Sequence, residues 1–287
     1  DGQLLKGEEI IPELEGYRGS YPVRIGNEAS NQVQLDVFGE ILLTAKRYVE
    51  VVGELSPELW ESLIALADYA IDNWHRPDNG IWEERGDPRH YTHSKVMCAV
   101  GIRSVLDIQE RTKYPAPVKK WKTALKKMRE TIIERAWNDE IKSFTKVFDS
   151  DEIDASLLLM SVYGFLPATD ERLRSTVDHL IHNLGTKGLM CRFQWAGEEI
   201  GESEGAFTIA SIWLAIHFIK LGKLDFAEEY IQALIDSANH VGLFAEELDP
   251  KTGDFLGNYP QLFVHTALID AIHDFNNATR KKNADND

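Results

Sequence analysis

The 287 residues include 47 acidic and 31 basic side chains, a net charge of -16, and 43% hydrophobic residues. That is ample material for a core, and the acidic field makes nucleic acid and anionic membranes poor partners while leaving a neutral substrate indifferent. No run approaches the ~20 apolar residues of a membrane span, no basic-then-apolar signal opens the chain, and Cys98 and Cys191 stand alone, which predicts reduced thiols in a cytoplasmic protein.

Residues 1–30 are broken too often by glycine and proline for a long helix. From Gln32 the apolar period becomes helical (Val33, Val37, Ile41, Ala45, Tyr48, Val52), and Gly53 stops it. Ser56-Pro57-Glu58 caps a second helix that runs to about Trp74. Further helices are predicted over about 92–111, 116–137, 154–163, 170–184, 206–221 and 223–239, and a last one begins near Pro260. Residues 276–287 read as a frayed polar tail. Period-two strand patterns are nearly absent. Helix-loop units of about 50 residues suggest a toroid or solenoid of helical hairpins, with a tetratricopeptide-like scaffold as the plainer reading. The loops are long and rich in Trp, Glu and Arg, which favours a site.

The densest stretch, Asp78 to Lys95, holds the adjacent acids Glu83 and Glu84 between Trp82 and Arg85. A glycosidase acid must stay protonated near neutral pH, which apolar cover and a neighbouring negative charge favour, although paired acids also occur on ordinary solvated loops. A second pair, Glu246-Glu247, lies in the loop after the eighth helix. Inverting hydrolysis needs two carboxyl groups about 6.5–9.5 Å apart, and two such loops at one end of a helical toroid meet that need. His90 and His93 stand three apart, but no third ligand cluster accompanies them, so a structural or hydrogen-bonding role outweighs a metal. Trp60, Trp74, Trp121 and Trp213 read as core, and the lysines from Lys119 to Lys127 as a solvated helix face. No phosphate-binding loop occurs, and Gly201-Glu-Ser-Glu-Gly205 lacks the strand of a nucleophile elbow.

Several ordered segments resemble glycoside hydrolase family 15, which holds glucoamylases, related α-glucosidases and microbial trehalases. They are Gly16–Asn27, Gln32–Glu40, Gly80–Arg85, Pro88–Met97, Asp154–Leu159 with Gly164–Pro167, Glu204–Phe207, Phe244–Asp249 and Gly257–Gln261. The resemblance implies an all-α fold, the (α/α)6 barrel of six-hairpin glycosidases, in which inner and outer helices alternate and the loops at one end form the pocket. It implies Glu83 as general acid and Glu246 as general base, with Glu84 and Glu247 tuning or orienting them. Trp82 would border the pocket, and Arg18, Arg24, Arg85, His93, Lys95 and Arg192 would bond sugar hydroxyls, Glu84 beside them. No metal or organic cofactor is implied.

The family's Trp-x-x-Arg-Asp segment is absent and about nine helices are found where a closed barrel has twelve. The expectation is therefore one catalytic domain over 1–287 that lacks its first helices, with the missing N-terminal part of the same protein as a partner. The leading expected activity is glucoamylase-like release of glucose from terminal α-glucosidic bonds. Trehalose hydrolysis and a non-catalytic carbohydrate-binding module are the alternatives.

Overall fold

The computed structural model describes residues 7–16, 19, 21–193 and 204–284. Its helices are α1 (Asp36–Val52), α2 (Pro57–Asn73), α3 (Thr92–Thr112), α4 (Val118–Ala136), α5 (Leu159–Val162), α6 (Glu171–Leu184), α7 (Thr208–Lys220), α8 (Leu224–Asp236) and α9 (Leu262–Ala284). The hairpin pattern holds. α1, α3, α5, α7 and α9 pack one against the next, while α2, α4 and α8 back this row from outside. Sequence explains the division. α7 (TIASIWLAIHFIK) is apolar all round and is buried from Ala210 to Ile219, whereas α4 buries only Trp121, Met128, Ile132 and Ala136 and exposes Lys119, Lys120, Lys122, Lys126 and Lys127.

α1 and α3 meet backbone to backbone. A Cβ on Gly39 would lie 2.1 Å from the Met97 carbonyl oxygen, and one on Gly101 would lie 2.9 Å from the Gly39 Cα, so glycine at both positions permits the contact. α2 begins as its cap predicts, with Ser56 Oγ accepting from the Leu59 N–H at 3.2 Å. α1 stops at Gly53, whose φ of +97° is left-handed and whose N–H returns to the Val49 carbonyl at 2.9 Å. α1 starts four residues after Gln32, because Gln32 is used elsewhere, as described below.

Two-residue strands tie the loops: β1 (Glu9–Ile10) with β2 (Arg24–Ile25), β3 (Trp137–Asn138) with β4 (Ser143–Phe144), β5 (Gly185–Thr186) with β6 (Leu189–Met190), and β7 (Ala206–Phe207), β8 (Glu247–Leu248) and β9 (Phe255–Leu256) in one antiparallel sheet. One expectation is corrected. Residues 276–284 continue α9 instead of fraying, since Phe275 and Ala278 pack on the core, Thr279 Oγ1 donates to the Phe275 carbonyl, and Lys281 and Lys282 face the negative helix end. Among the described residues no helix is long and apolar enough to cross a membrane.

Candidate active site

The loop from α2 to α3 is pinned before it reaches Glu83. Asp78 and Arg89 exchange backbone hydrogen bonds at 2.9 and 2.8 Å, and Gly80, at φ +69°, lies where a Cβ would strike the Tyr91 ring. Gln32 Nε2 donates to the carbonyls of Glu83 (3.1 Å) and Glu84 (3.0 Å), and Asn79 Nδ2 donates to the latter at 3.3 Å. This clamp holds Glu83 at φ +55°, a left-handed conformation that typically costs about 1–3 kcal/mol in a non-glycine residue. Its carboxylate accepts from Asn27 Nδ2 at 3.2 Å.

Trp82 is fixed on several sides. Its indole N–H donates to Asp154 Oδ2 at 2.6 Å, its ring meets Phe207 edge-on at 5.5 Å and Trp213 at 6.2 Å, and the Arg192 guanidinium lies 5.4 Å from its centroid. Burial raises the Asp154 carboxyl above the usual range, opposed by hydrogen bonds from Ser156 and Trp82.

Glu246 comes from the segment entering β8. Its backbone bonds Asn258 and Thr208, and its Oε2 accepts from both the backbone N–H and Nδ2 of Asn258 at 2.9 Å. Gly257, at φ +67°, is required here, because a Cβ would sit 2.7 Å from Glu246 Oε2. The two expected catalytic acids come together: Glu83 and Glu246 line one cavity of about 670 Å³, with Trp82, Arg192, Phe207 and Trp213. Its far wall comes from the inner row, with Glu40 of α1, Val162 of α5, Ile216 of α7 and Asp270 of α9, and with Tyr163 just beyond α5. A second, more polar cavity of about 520 Å³ adjoins it and shares Trp82 and Glu83; Arg24, Asn27, Glu28, Gln32, Arg85 and Asn258 help to line it.

The remaining expected site residues divide. Arg24 and Arg85 stand in the polar cavity, both paired with Glu8 (3.3 and 2.8 Å), and Arg85 also with Glu28. Arg192 lines the inner cavity and pairs with Glu204. Arg18 lies outside the described residues. Three placements are corrected. Glu84 turns away from Glu83, one oxygen ion-paired with Lys146 and the other accepting from Tyr91 OH at 2.9 Å. Lys95 is fully buried in the first turn of α3, spending its ammonium on Asp78 Oδ1 (3.0 Å) and the Arg76 carbonyl (2.6 Å). His93, also buried there, is held neutral by desolvation, which lowers it to about 3, with Asp36 Oδ2 3.6 Å away. Neither Lys95 nor His93 lines either cavity. His90 stacks on Phe148 with centroids 6.2 Å apart.

Sequence reasoning missed Glu40, Asn27, Gln32, Tyr163, Trp213 and Asn258 as site residues. Four of them, Asn27, Gln32, Glu40 and Asn258, lie inside segments that carry the family resemblance, which was the available signal. Trp213 is both core and cavity wall, and helical spacing discloses only the first role.

Comparison with known proteins follows the same lines. The trehalase of Thermoplasma volcanium is 34% identical over 265 residues, which make up 91% of this chain and 42% of that protein. The trehalase of Mycobacterium tuberculosis is 37% identical over 267 residues, 92% of this chain and 39% of that one, so the chain spans about two fifths of the length of these relatives. A wild-type glycosidase structure superposes with a TM-score of 0.72 at 18% identity, covering 85% of this chain and 67% of the other. A bacterial glucoamylase solved with acarbose gives 0.71 at 16%, covering 86% and 41%. Both likenesses establish the all-α glycosidase fold. The family model for glycosyl hydrolases family 15 matches residues 7–224 and 221–273, and the chain belongs to that family.

Proposed function

We propose that the whole protein hydrolyses α,α-trehalose with inversion, Glu83 serving as general acid and Glu246 as general base. The observation that carries this reading is the position of Glu83, at the junction of two adjoining cavities of which the inner one also holds Glu246. A disaccharide laid across that junction puts one glucose in each cavity and its bridging oxygen beside Glu83. Glu83 gives its proton to that oxygen as the glycosidic bond breaks. Glu246 takes a proton from a water whose oxygen bonds to the anomeric carbon from the opposite face, so that trehalose and water give two glucose molecules. Asn258 occupies one Glu246 oxygen and leaves the other for the water. Burial raises the Glu40 carboxyl in the far wall, which favours a form that can donate to a sugar hydroxyl.

The trehalase names of the relatives support trehalose over the starch-type substrate first expected. A non-catalytic binding module has no use for a strained Glu83 and a clamped Glu246 facing one cavity. At the two ends of the inner row, α1 and α9 expose Ile41 (42%) and Ile269 (65%), faces that further helices of the same polypeptide would cover in a closed barrel. The test is glucose release from trehalose and from maltotriose by the whole protein, with Glu83→Gln and Glu246→Gln as controls. Trehalose turnover that falls by about 10²–10⁴-fold in each variant is expected. Turnover of maltotriose alone would overturn the substrate, and near-full activity in both variants would overturn the assignment of acid and base.

A further inference from the structure

The outer cavity carries a ring of charge that the bond-breaking step does not use. Among the described residues its charged lining, Glu83 apart, is two guanidiniums, Arg24 and Arg85, and two carboxylates, Glu8 and Glu28. β1 and β2 pair Ile10 with Arg24 and Glu9 with Ile25. One step further along this register stand Glu8 and Gly26, both in the cavity wall. Glu8 divides its carboxylate: Oε2 lies 3.3 Å from Arg24 Nε, and Oε1 accepts from a terminal nitrogen of Arg85 at 2.8 Å. The other terminal nitrogen of Arg85 is 3.3 Å from Glu28 Oε2. Glu8 is the most covered of the four, with 16% of its side chain exposed against 40% for Arg24, 58% for Arg85 and 56% for Glu28. Ion pairs between partners this exposed add little to stability, so the weight of the ring falls on what can enter the cavity.

We propose that Glu8 is a specificity-determining residue: by occupying Arg24 and Arg85 together it keeps the outer cavity electrically balanced, so that a neutral leaving sugar is accepted and a phosphorylated or carboxylated one is refused. This rests on the reading of the outer cavity as the place of the leaving sugar. Two guanidiniums within reach of one carboxylate are a donor set suited to a phosphate or carboxylate group, and here Glu8 already fills it. An incoming anion must displace Glu8 and strand that carboxylate in a largely covered position, whereas a sugar hydroxyl needs only a guanidinium N–H that the two acids leave over. The inner cavity offers an anionic sugar no alternative, since Glu40, Glu246 and Asp270 line it against Arg192, itself paired with Glu204.

The test is kcat/KM of the whole protein for trehalose 6-phosphate against that for trehalose, in the parent and in Glu8→Gln. The parent should favour trehalose by at least about tenfold. Glu8→Gln should raise the ratio of phosphorylated to plain sugar by about 10–100-fold, the worth of one hydrogen bond to a charged group. That gain should fade in about 1 M salt, where charges are screened beyond about 3 Å, which a merely structural effect of the substitution would not do. Should Glu8→Gln fail to fold, Glu28→Gln frees the other side of Arg85 and carries the same test with a smaller gain, since Glu28 is the more exposed acid. A parent that takes both sugars equally, a ratio that the variants leave unmoved, or a gain that salt leaves intact overturns the proposal. Calorimetric titration with glucose 6-phosphate and with glucose reads the cavity without turnover. A parent inactive on trehalose would overturn the substrate instead, while preference for glucose 6-phosphate over glucose, gained only in Glu8→Gln, would still uphold the role of Glu8.

Discussion

Lys95→Met separates a structural role from a substrate-binding one. Lys95 and Asp78 are fully buried and 3.0 Å apart, and Asp78 Oδ2 also accepts from the Leu35 N–H at 3.2 Å, so the pair joins the Glu83 loop to α3 and to the entry of α1. Removing the ammonium strands a carboxylate in a dry site, which costs about 3–5 kcal/mol. That is a large share of the roughly 5–15 kcal/mol that holds a typical domain together. With a guanidinium slope of a few kcal/mol per molar, the unfolding midpoint should fall by on the order of 1 M. Adding Asp78→Asn to Lys95→Met removes the stranded charge, keeps an acceptor for Leu35, and should recover most of the loss. The assay is equilibrium denaturation of both variants followed by KM for trehalose at a temperature where each is folded. A Lys95→Met protein of parental stability with a raised KM would refute the reasoning and return Lys95 to the substrate.

Gly39→Ala sets a helix-propensity gain of about 1 kcal/mol against a Cβ 2.1 Å from a backbone oxygen that no rotamer change can move. Net destabilisation of about 1–3 kcal/mol in denaturant is expected, and equal or greater stability would mean that α1 and α3 part easily. Asp36 is raised from 3.8 to about 7, mainly by burial and then by Glu40 and Asp78. A carboxyl that binds its proton more tightly when folded adds stability that is complete below the unfolded value and lost as pH rises to about 7, so Asp36→Asn should flatten the fall in Tm between pH 5 and 8. An unchanged Tm slope would refute this. Asp154→Ala takes the acceptor from the Trp82 indole and a cap from Ser156, and should lower kcat/KM for trehalose by about tenfold, from the loss of roughly 1.5 kcal/mol. An unaltered kcat/KM would show that the ring packing holds Trp82 unaided.

Local rules made most of the helices legible: the Ser56-Pro57 cap, the stop at Gly53 and the all-apolar α7 each act within a few residues. The acids Glu83 and Glu246 were legible because their flanking segments match a family as words. What failed was long-range pairing. Nothing in the spacing of Asp78 and Lys95, seventeen positions apart, shows that the chain between them folds the two into one dry pair, and so the lysine read as a sugar ligand. Glu84 was placed beside Glu83 by sequence, yet the left-handed Glu83 and the distant Lys146 turn it the other way. The last turns of α9 read as tail because their contacts with the core come from Phe275 and Ala278, which composition alone does not orient.

The two adjoining cavities are built by different stretches of chain. Most of the outer one comes from residues 8–32 with Arg85, while the inner one draws its walls from the helix row and the sheet that carries Glu246. The proposed acid Glu83 lines both cavities, whereas the proposed base Glu246 lines only the inner one. On the proposed reading, replacements within 8–32 that leave Asn27 and Gln32, the residues that hold Glu83, in place can reshape what departs without disturbing how the bond is broken. On that reading, a lineage of such hydrolases can change its leaving group while the chemistry stays put.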